Sequence, residues 1–470
     1  MRVRASVSIL RPPIGADMEE LHLVNYKLTP SVVETGKPVT VTIAPSGDQV
    51  YFQDNTNYIL DIVGVETATK QLNGAHGKRI TLKPTEGKLV FTETFEREQQ
   101  YVIKIILPES HMFCTNPYYQ PPAHGRVSRP SDQRSPTLYL YALEPDLYRL
   151  RPYKGDFHLH SSDSDGHESS CGVLANLRRA GYDFSALTNH YWYHSAAKVR
   201  KLWQGLPDIF TVLTGEEVHT PSEYLHAVSI GASQSVNDLY YQNREQCDAE
   251  IEAIAKDLDL PDTIDPHNYA SRLWVARTIR KFGGLSILAP PHWIWSNVYF
   301  MPEDLTVRLL ESGEYEALEL LNGDCGPETN TLQTALYFEE RAKGFDPPVV
   351  GSSDCHRTDR ADERFPTPAF TYVFAEDRSF ETIHKAILDH QTVAVEKYRE
   401  DSSFHIYGSY RLVKYANFLM RNYNPRYTEL CYPQGTLLRE YETDPKPETA
   451  SLLSLLYARS EAYAASFFGK

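Results

Sequence analysis

Between residues 154 and 396, short apolar runs alternate with amphipathic stretches, and this alternation constrains the fold more than any other feature of the chain. The runs at 184–188 and 284–289 have the length and apolar content of buried strands. Residues 273–282 and 380–388 carry apolar side chains at helical spacing. Strands and helices that alternate in this way predict an α/β architecture with a parallel sheet.

Imidazoles and carboxylates recur at the ends of the predicted strands in this region. The C-terminal ends of barrel strands meet at one mouth, so we expect these side chains to converge there. They are His158, His160, Asp165, His190, Glu216, Glu217, His226, His292, Asp354 and His356.

The segment 155–166 opens this series with the pair His158 and His160. Residues two apart in a strand point to the same face, so both imidazoles would face one side. Two neutral imidazoles on one face suit a divalent transition metal. Asp165 follows on a Ser-Asp-Gly turn, from which its carboxylate could complete or bridge the site. The alternative is a chance histidine pair beside an ordinary turn, and the recurrence at later strand ends disfavours it.

Five of these segments, in this order, resemble the motifs of the polymerase-and-histidinol-phosphatase (PHP) superfamily. The resemblance covers residues 154–396 and implies a distorted (β/α)7 TIM-like barrel that holds two or three divalent metals, zinc, manganese or iron. It also implies a metal-dependent hydrolase, in most members a phosphoesterase. The segments are Asp156-Phe-His-Leu-His160, Ser164-Asp-Gly166, Leu187-Thr-Asn-His190, Gly215-Glu-Glu217 and Gly351-Ser-Ser-Asp-Cys-His356.

The resemblance also implies roles for individual residues. Glu217 would be the carboxylate that bridges two metals, with Glu216 and His219 supporting it from behind. A hydroxide that bridges the metals would attack the substrate, and His226, His292 or Asp354 would carry the proton. Arg357 and Arg360 directly follow the last motif and would anchor a phosphate, unless they are solvated surface side chains. The matching ligand positions are His158, His160, Asp165, His190, Glu217, His226, Asp354 and His356.

The chain departs from the PHP pattern at two places. The usual Ala-His-Pro becomes Ala289-Pro-Pro-His-Trp293, so Pro290 takes the ligand position and His292 comes two residues later. An extended segment would keep the same face, so His292 either replaces the ligand or the ligand is lost. Asn189 stands where an aspartate is common, and an amide supplies no negative charge to a ligand histidine.

Several other side chains are candidates for supporting roles. Glu319 and Asn322 lie towards the end of an apolar strand, where they could support the ligands or simply end the strand. His194, His219 and His267 have no clear motif partner and are interpreted as surface or core histidines.

The segments on either side of the barrel region have a different texture. Residues 39–43, 101–106 and 137–142 are rich in β-formers and predict a β-sandwich at 1–148. Residues 116–135 predict a long loop. We therefore expect a barrel at 149–400 and a C-terminal helical lobe at 401–470, with helices near 410–422 and 448–468. The β-rich segment and the lead-in at 143–155 resemble the branch related to the CehA/McbA carbaryl hydrolases.

Composition and charge narrow the range of functions that the chain could have. A formal charge of −15 disfavours general nucleic-acid binding, and with it a nuclease. No apolar secretory segment and no stretch of about 18 apolar residues occurs, which predicts no membrane span and a cytoplasmic protein. Six scattered cysteines predict free buried thiols. The expected partner is a small-molecule substrate, and the oligomeric state stays open.

Three functions remain after these considerations. The first is a metal-dependent phosphoesterase, and the second an amide, ester or carbamate hydrolase with the same metal cage. The third is a degenerate barrel that binds metal or ligand without turnover, which the departures at Pro290 and Asn189 motivate.

Overall fold

The computed structural model describes residues 26–46, 51–68, 70–71, 74–75, 77–106, 136–222, 225–358, 369–398 and 403–470. The predicted loop at 116–135 and Arg360 lie outside these residues. Contacts divide the chain into two compact units, Met1–Tyr148 with Ala465–Lys470, and Arg149–Ala464. The three-part division predicted from the sequence stays a prediction.

The first unit contains two mainly antiparallel sheets, in the orders β1-β3-β8 and β2-β10-β9-β4-β7, with one short ribbon, β5-β6. Its elements are β1 (Tyr26–Thr29), β2 (Val32–Glu34), β3 (Pro38–Pro45), β4 (Tyr58–Gly64), β5 (Lys70–Gln71), β6 (Gly74–Ala75), β7 (Lys78–Leu82), β8 (Leu89–Thr94), β9 (Gln99–Ile106), β10 (Thr137–Leu143) and α1 (Pro145–Tyr148). Val41 and Ile43 of β3 share one core with Ile103 of β9 and Leu140 of β10. Alternate residues therefore point inward, as the three predicted strands required.

The second unit alternates strands and helices along most of its length. Its elements, with α12 continuing to Phe468, are β11 (Arg151–Asp156), α2 (Ser170–Arg179), β12 (Phe184–Leu187), α3 (Ser195–Leu202), β13 (Thr211–Val218), β14 (Ala227–Ile230), α4 (Val236–Gln242), α5 (Arg244–Lys256), α6 (Pro266–Lys281), β15 (Leu285–Leu288), β16 (Ile294–Trp295), β17 (Val298–Tyr299), α7 (Glu303–Ser312), β18 (Ala317–Asn322), α8 (Pro327–Lys343), β19 (Val349–Ser352), β20 (Ala369–Ala375), α9 (Phe380–Leu388), β21 (Thr392–Glu396), β22 (His405–Gly408), α10 (Tyr410–Asn422), α11 (Asn424–Thr443) and α12 (Pro447–Phe468). The predicted helices at 380–388 and 410–422 are confirmed.

The large sheet of this unit has the order β19-β18-β15-β14-β13-β12-β11-β20-β21-β22. The pairs β11-β12, β12-β13, β15-β18 and β18-β19 are parallel, whereas β14 is antiparallel to both its neighbours and β20 is antiparallel to β11. The sheet is thus mixed, which corrects the expectation of a parallel sheet. Residues 219–226 are too few for a crossover helix between β13 and β14, so the chain returns antiparallel.

This sheet curls into a nearly closed barrel, because β19 at one end lies against β20 and β21. The backbone N–H of Gly351 donates to Oγ1 of Thr371 at 2.9 Å, and Oγ1 of Thr392 donates to the carbonyl of Val349 at 2.8 Å. Phe157, Phe184 and Ile287 belong to the apolar core of the barrel. The fold is therefore mixed α/β with a barrel-like sheet, and its strand ends lie near one another.

Local signals set the helix ends that support the barrel. Oγ of Ser169 accepts a hydrogen bond from the N–H of Gly172 at the start of α2. Gly181 follows α2 with a φ of +79°, a left-handed backbone conformation that favours glycine and ends the helix. Asp265 caps α6, whose first residue is Pro266.

Helix α11 packs on α2 through a buried polar network. The Arg178 guanidinium donates to Oε1 of Gln434 at 2.8 and 3.0 Å and to Oδ1 of Asp183 at 3.2 Å. Gly435 lies so close to α2 that a Cβ there would be 2.3 Å from the carbonyl oxygen of Ala175. The two helices therefore touch backbone to backbone.

Within the described part of the chain, Cys171, Cys247, Cys325, Cys355 and Cys431 are free and buried, as predicted. Among the same residues, no helix has the length and apolar character needed to cross a membrane.

Candidate metal centre

Glu217 lies at the end of β13 and is buried at the centre of a histidine cluster. Its Oε2 atom lies 3.1 Å from Nε2 of His158, 3.4 Å from Nε2 of His160 and 3.1 Å from Nδ1 of His190. Its Oε1 atom faces two other histidines on the opposite side. One carboxylate therefore joins two sets of imidazoles.

The first set consists of His158, His160 and Glu217, all of them buried, with Asp354 beside them. Oδ1 of Asp354 lies 3.3 Å from Nε2 of His158 and 3.1 Å from Nε2 of His160. Two imidazole nitrogens and two carboxylate oxygens thus converge on one point. This donor set matches a tetrahedral divalent-metal site in number and type.

The second set gathers around Asp165, whose side chain is 54 % exposed and faces the solvent side of the cluster. Oδ2 of Asp165 lies 3.3 Å from Nε2 of both His190 and His356, and Oδ1 lies 3.7 Å from Nδ1 of His160. These four side chains form a group whose ligand atoms all lie within 4.8 Å of one another.

The third set lies on the Oε1 side of Glu217. Nδ1 of His226 lies 2.5 Å from this oxygen and Nε2 of His219 lies 3.6 Å from it. The rings of His219 and His226 are 4.2 Å apart, and Nε2 of His219 lies 2.7 Å from Nδ1 of His190. His190, Glu217 and His219 again meet the spacing of a metal site.

Backbone pairing brings the histidine pair next to the last motif. The N–H of His160 donates to the carbonyl of Cys355 at 3.1 Å, and the N–H of Asp354 donates to the carbonyl of His158 at 2.9 Å. Buried Asp156 accepts from the N–H groups of both His158 and Ser353. Segments almost 200 residues apart in the sequence are therefore held in fixed register.

Groups behind the ligands orient their rings. Oε2 of Glu319 lies 3.0 Å from Nδ1 of His158, which directs Nε2 of that ring towards Glu217. The amide of Asn322 donates to Glu319 at 2.9 Å and to Asp354 at 3.2 Å. A carboxylate on the far nitrogen of a ligand histidine fixes its tautomer and raises its basicity.

His356 is oriented in a similar way by backbone. Its Nδ1 atom lies 2.9 Å from the carbonyl oxygen of Asp354, so this nitrogen carries a proton and Nε2 faces Asp165.

Asn189 supports the loop that carries Asp165. Its Oδ1 atom accepts from the N–H of Ser161 at 2.7 Å and from Oγ of Ser164 at 2.9 Å, and its amide donates to Ser195 at 2.8 Å. The side chain at this position thus positions a turn, and the hydrogen bonds in the described structure do not connect it to the ring of His190.

Mutual attraction shifts the pKa values of the buried ring and carboxylates. Burial by itself lowers the pKa of His158, but the negative charges of Asp354, Glu319 and Glu217 outweigh burial and raise it well above its usual value. Burial acts to raise the pKa of Glu217, yet His226 and His158 hold it well below its usual range. The centre of the cluster therefore favours ionised carboxylates.

The outer set behaves in the same way. Burial opposes protonation of His190 and His356, but hydrogen bonds to Asp165 raise their pKa values to about 10 and about 8. Burial acts to raise the pKa of Asp165, but the two histidines outweigh burial and hold this pKa well below its usual range. At neutral pH and without metal, His190 and His356 are therefore protonated, and their positive charges lie beside Asp165 where a metal cation could bind.

The donor atoms of the centre fit divalent metals. Both ring nitrogens of His160 and Oε1 of Glu217 are buried, and within the described ranges no hydrogen bond satisfies them. A buried lone pair without a donor is costly, and a cation at the point of convergence would remove that cost.

A cavity of about 350 Å³ opens onto these side chains. One wall is aromatic, since the ring of His226 lies 4.3 Å from Phe300 and 5.6 Å from Trp293. Its lining is His158, Asp165, His190, Glu217, His226, Ala289, Pro290, Trp293, Phe300, Asp324, Asp354 and His356. Most of the side chains predicted from the sequence thus line one cavity.

The structure does not bring every predicted residue to this cavity. Pro290 belongs to its lining, whereas His292 does not, and the ring of His292 packs 5.2 Å from Tyr299. Arg357 is also not among the lining residues, and Arg360 lies outside the described residues.

The sequence interpretation missed Phe300 and Asp324, and it gave His219 only a supporting role rather than a place among the ligands. The signal for His219 was its spacing, two residues after Glu217, the same spacing that identified His158 and His160. Asp324 follows the end of β18, where other strand ends carry ligands. For Phe300 the sequence contains no comparable signal.

No protein-family model matches the chain, and no curated protein matches it in sequence. Among solved structures, it is similar to a two-domain protein from Bacteroides vulgatus that contains a predicted PHP-like metal-dependent phosphoesterase. That match has 19 % identity and a TM-score of 0.40 and covers 57 % of this chain and 71 % of the other.

Two further solved structures are similar over a smaller share of the chain. A protein from Bifidobacterium adolescentis, described as a metal-dependent phosphoesterase, is 14 % identical with a TM-score of 0.32, covering 44 % of this chain and 89 % of its own. An amidohydrolase from Chromobacterium violaceum with bound sulfate is 19 % identical with a TM-score of 0.30, covering 43 % and 87 %.

Proposed function

We propose that this chain is a metal-dependent hydrolase, and that phosphoesters are its substrates. One observation carries the proposal: the two oxygens of Glu217 face two different sets of histidines, as a carboxylate shared by two metals requires. The sequence resemblance to the PHP superfamily supports it. We further propose that the barrel is of the distorted (β/α)7 type, in which β11 to β15, β18 and β19 supply the seven strands.

His158, His160 and Asp354 would hold one metal with Oε2 of Glu217, and Asp165, His190 and His356 would hold a second. His226 would hold a further metal with Oε1 of Glu217. When bound, divalent metals lower the pKa of water and polarise a phosphoryl or carbonyl oxygen.

The chain itself supplies position and charge. Glu319 holds the ring of His158 so that Nε2 faces the cavity, and the carbonyl of Asp354 does the same for His356. Because these rings are oriented before substrate binds, little reorganisation accompanies the reaction. Trp293 and Phe300 exclude water from one side of the cavity.

A proton must leave the attacking water and reach the leaving group. Asp324 lines the cavity without belonging to the metal-spaced groups, and its N–H is anchored by Oδ1 of Asn322 at 2.9 Å. We assign the transfer to this carboxylate. His226 and Asp354, which the sequence suggested for the role, lie against Glu217 and the histidine pair.

A second candidate function is hydrolysis of a carboxylic ester, amide or carbamate. The observation that favours it is the lining of the cavity, which contains aromatic and aliphatic side chains but, among the described residues, no lysine or arginine. A phosphate dianion is commonly held by such cations, whereas an uncharged ester needs none. The resemblance to the CehA/McbA branch points in the same direction.

One experiment tests both candidates. Purified protein reconstituted with zinc or manganese is analysed for metal content and assayed on bis(p-nitrophenyl) phosphate and on p-nitrophenyl acetate. We expect at least two metals per chain, hydrolysis of the phosphodiester, and loss of activity in His160→Ala but not in His267→Ala. His267 is exposed and provides a matched control.

The outcomes separate the three functions. Faster turnover of the acetate than of the diester would select the second candidate. Full metal content with no turnover of either substrate would instead identify a barrel that binds metal without catalysis.

A further inference from the structure

The cluster contains one imidazole, His219, that the sequence resemblance gives only a supporting role behind Glu217. We propose that His219 forms a metal site with Glu217 and His226. In this site His219 replaces the ligand that is missing because Pro290 stands at the usual histidine position, a ligand that His292 does not supply. This inference rests on the proposed function, since it concerns the same centre.

Geometry places His219 in the cluster. The residue follows β13 two positions after Glu217, so both side chains point to the same face. Nε2 of His219 lies 3.6 Å from Oε1 of Glu217, and Nδ1 of His226 lies 2.5 Å from the same oxygen. Two imidazole nitrogens therefore face one buried carboxylate oxygen that has no hydrogen-bond donor among the described residues.

The backbone at His219 is held in place. Its N–H donates to Oδ1 of Asn237 at 3.1 Å, and the amide of Asn237 donates to the carbonyl of Glu217 at 3.0 Å and to Glu216 at 3.1 Å. One buried amide thus fixes the register of both Glu217 and His219. The residue is only 7 % exposed, and its ring faces the cluster.

His292 has different surroundings. Its backbone N–H faces Gln333, its carbonyl accepts from Thr329, and its ring packs on Tyr299. In the part of the chain that the structure describes, none of these contacts involves Glu217 or His226. The shift by two residues from Pro290 has therefore moved the imidazole away from the centre.

Glu217, His219 and His226 give one oxygen and two nitrogen donors. Three protein ligands with an open fourth position are the usual composition of a catalytic zinc site. The competing account is that His219 only accepts a hydrogen bond from Nδ1 of His190, at 2.7 Å, and orients that ring.

Metal stoichiometry separates these accounts without use of activity. Full-length protein, His219→Ala, His292→Ala and the control His267→Ala are loaded with zinc, desalted and analysed for metal. We expect His219→Ala to lose about one metal equivalent per chain while the other two variants keep the full content. Full content in His219→Ala, or a loss in His292→Ala, would overturn the proposal.

A second measurement guards against misfolding of the alanine variant. Cysteine is a metal ligand, so cobalt-loaded His219→Cys should show a thiolate-to-cobalt charge-transfer band that wild type and His292→Cys lack. Absence of that band in a folded His219→Cys that binds cobalt would also overturn it. The proposed function fails separately, if fully loaded wild type hydrolyses nothing.

Discussion

Oε2 of Glu319 lies 3.0 Å from Nδ1 of His158, although 161 residues separate them in the sequence. Both side chains are buried, so the interaction is little screened by solvent. The contact fixes which nitrogen of His158 faces Glu217. Ligand geometry at one side of the centre therefore depends on a residue that would not touch metal itself.

Glu319→Gln should weaken metal binding without unfolding the chain. The amide keeps the size of the side chain but removes the charge that raises the basicity of His158, and such changes cost roughly 10- to 100-fold in metal affinity. Competition with a chromogenic chelator measures the effect. Glu316→Gln, at a carboxylate that pairs with His384 away from the centre, is the control and should bind as wild type does.

The stability of metal-free protein should fall as the pH rises from about 6.5 to 8. The pKa of His356 is raised to about 8 and that of His190 to about 10, both above the usual histidine value of about 6.5. A raised pKa contributes stability that is complete below the unfolded value and is lost as the pH passes the folded one. Urea unfolding in EDTA across this range measures the slope.

Asp165→Asn provides the control for this pH dependence. It removes the charge that holds the protons on His190 and His356, so its slope over the same range should be flatter. Equal slopes for the two proteins would show that Asp165 is not the cause.

Asn189→Ala should destabilise the chain and disturb the Asp165 side of the centre. The change removes hydrogen bonds to Ser161, Ser164 and Ser195 in a buried place, at a cost of about 1–3 kcal/mol. Chemical unfolding with and without zinc measures both effects. A variant as stable as wild type would mean that the loop with Ser161 and Ser164 keeps its conformation without the side chain of Asn189.

Gly435→Ala should destabilise the packing of α11 on α2. An added Cβ would lie 2.3 Å from the carbonyl oxygen of Ala175 and 2.6 Å from the backbone nitrogen of Arg179, and backbone cannot move aside cheaply. We expect a loss of about 1–3 kcal/mol in unfolding free energy. Gly326→Ala is the matched control, because its Cβ would meet nothing within 4 Å.

Trp293→Ala should raise KM for substrates with an aryl group and leave kcat largely unchanged. The indole lines the cavity and packs on Phe300 at 5.4 Å, away from the carboxylates that gather the histidines. Lost apolar contact of this kind costs about tenfold. Steady-state kinetics on p-nitrophenyl and methyl esters measures it, and an equal effect on both substrates would contradict the assignment of Trp293 to the substrate wall.

Much of the centre could be predicted because its ligands follow local rules. His158 and His160 alternate at the end of one predicted strand, and His190 and Asp354 each follow another. A strand end is visible in the sequence as an apolar run that stops. These side chains converge because β11, β12 and β13 are parallel, and His226 joins them because it precedes the antiparallel strand β14.

The remainder depends on pairing that a single sequence does not reveal. The reversal of β14 follows from a short connection, and the apolar run itself does not reveal its partner strand. The contact between His158 and Glu319 requires β18 and β11 to meet across the barrel. His219 could have been identified by spacing, but its pairing with His226 depends on that same reversal.

Asp354 has a φ of +49°, a backbone conformation that costs most side chains about 1 kcal/mol or more. Glycine, asparagine and aspartate tolerate it best. The histidine pair requires a negative charge at this point, which neither glycine nor asparagine provides. Of these residues, only aspartate both tolerates this backbone conformation and carries a negative charge. While the centre binds metal, selection should therefore accept no other residue at position 354.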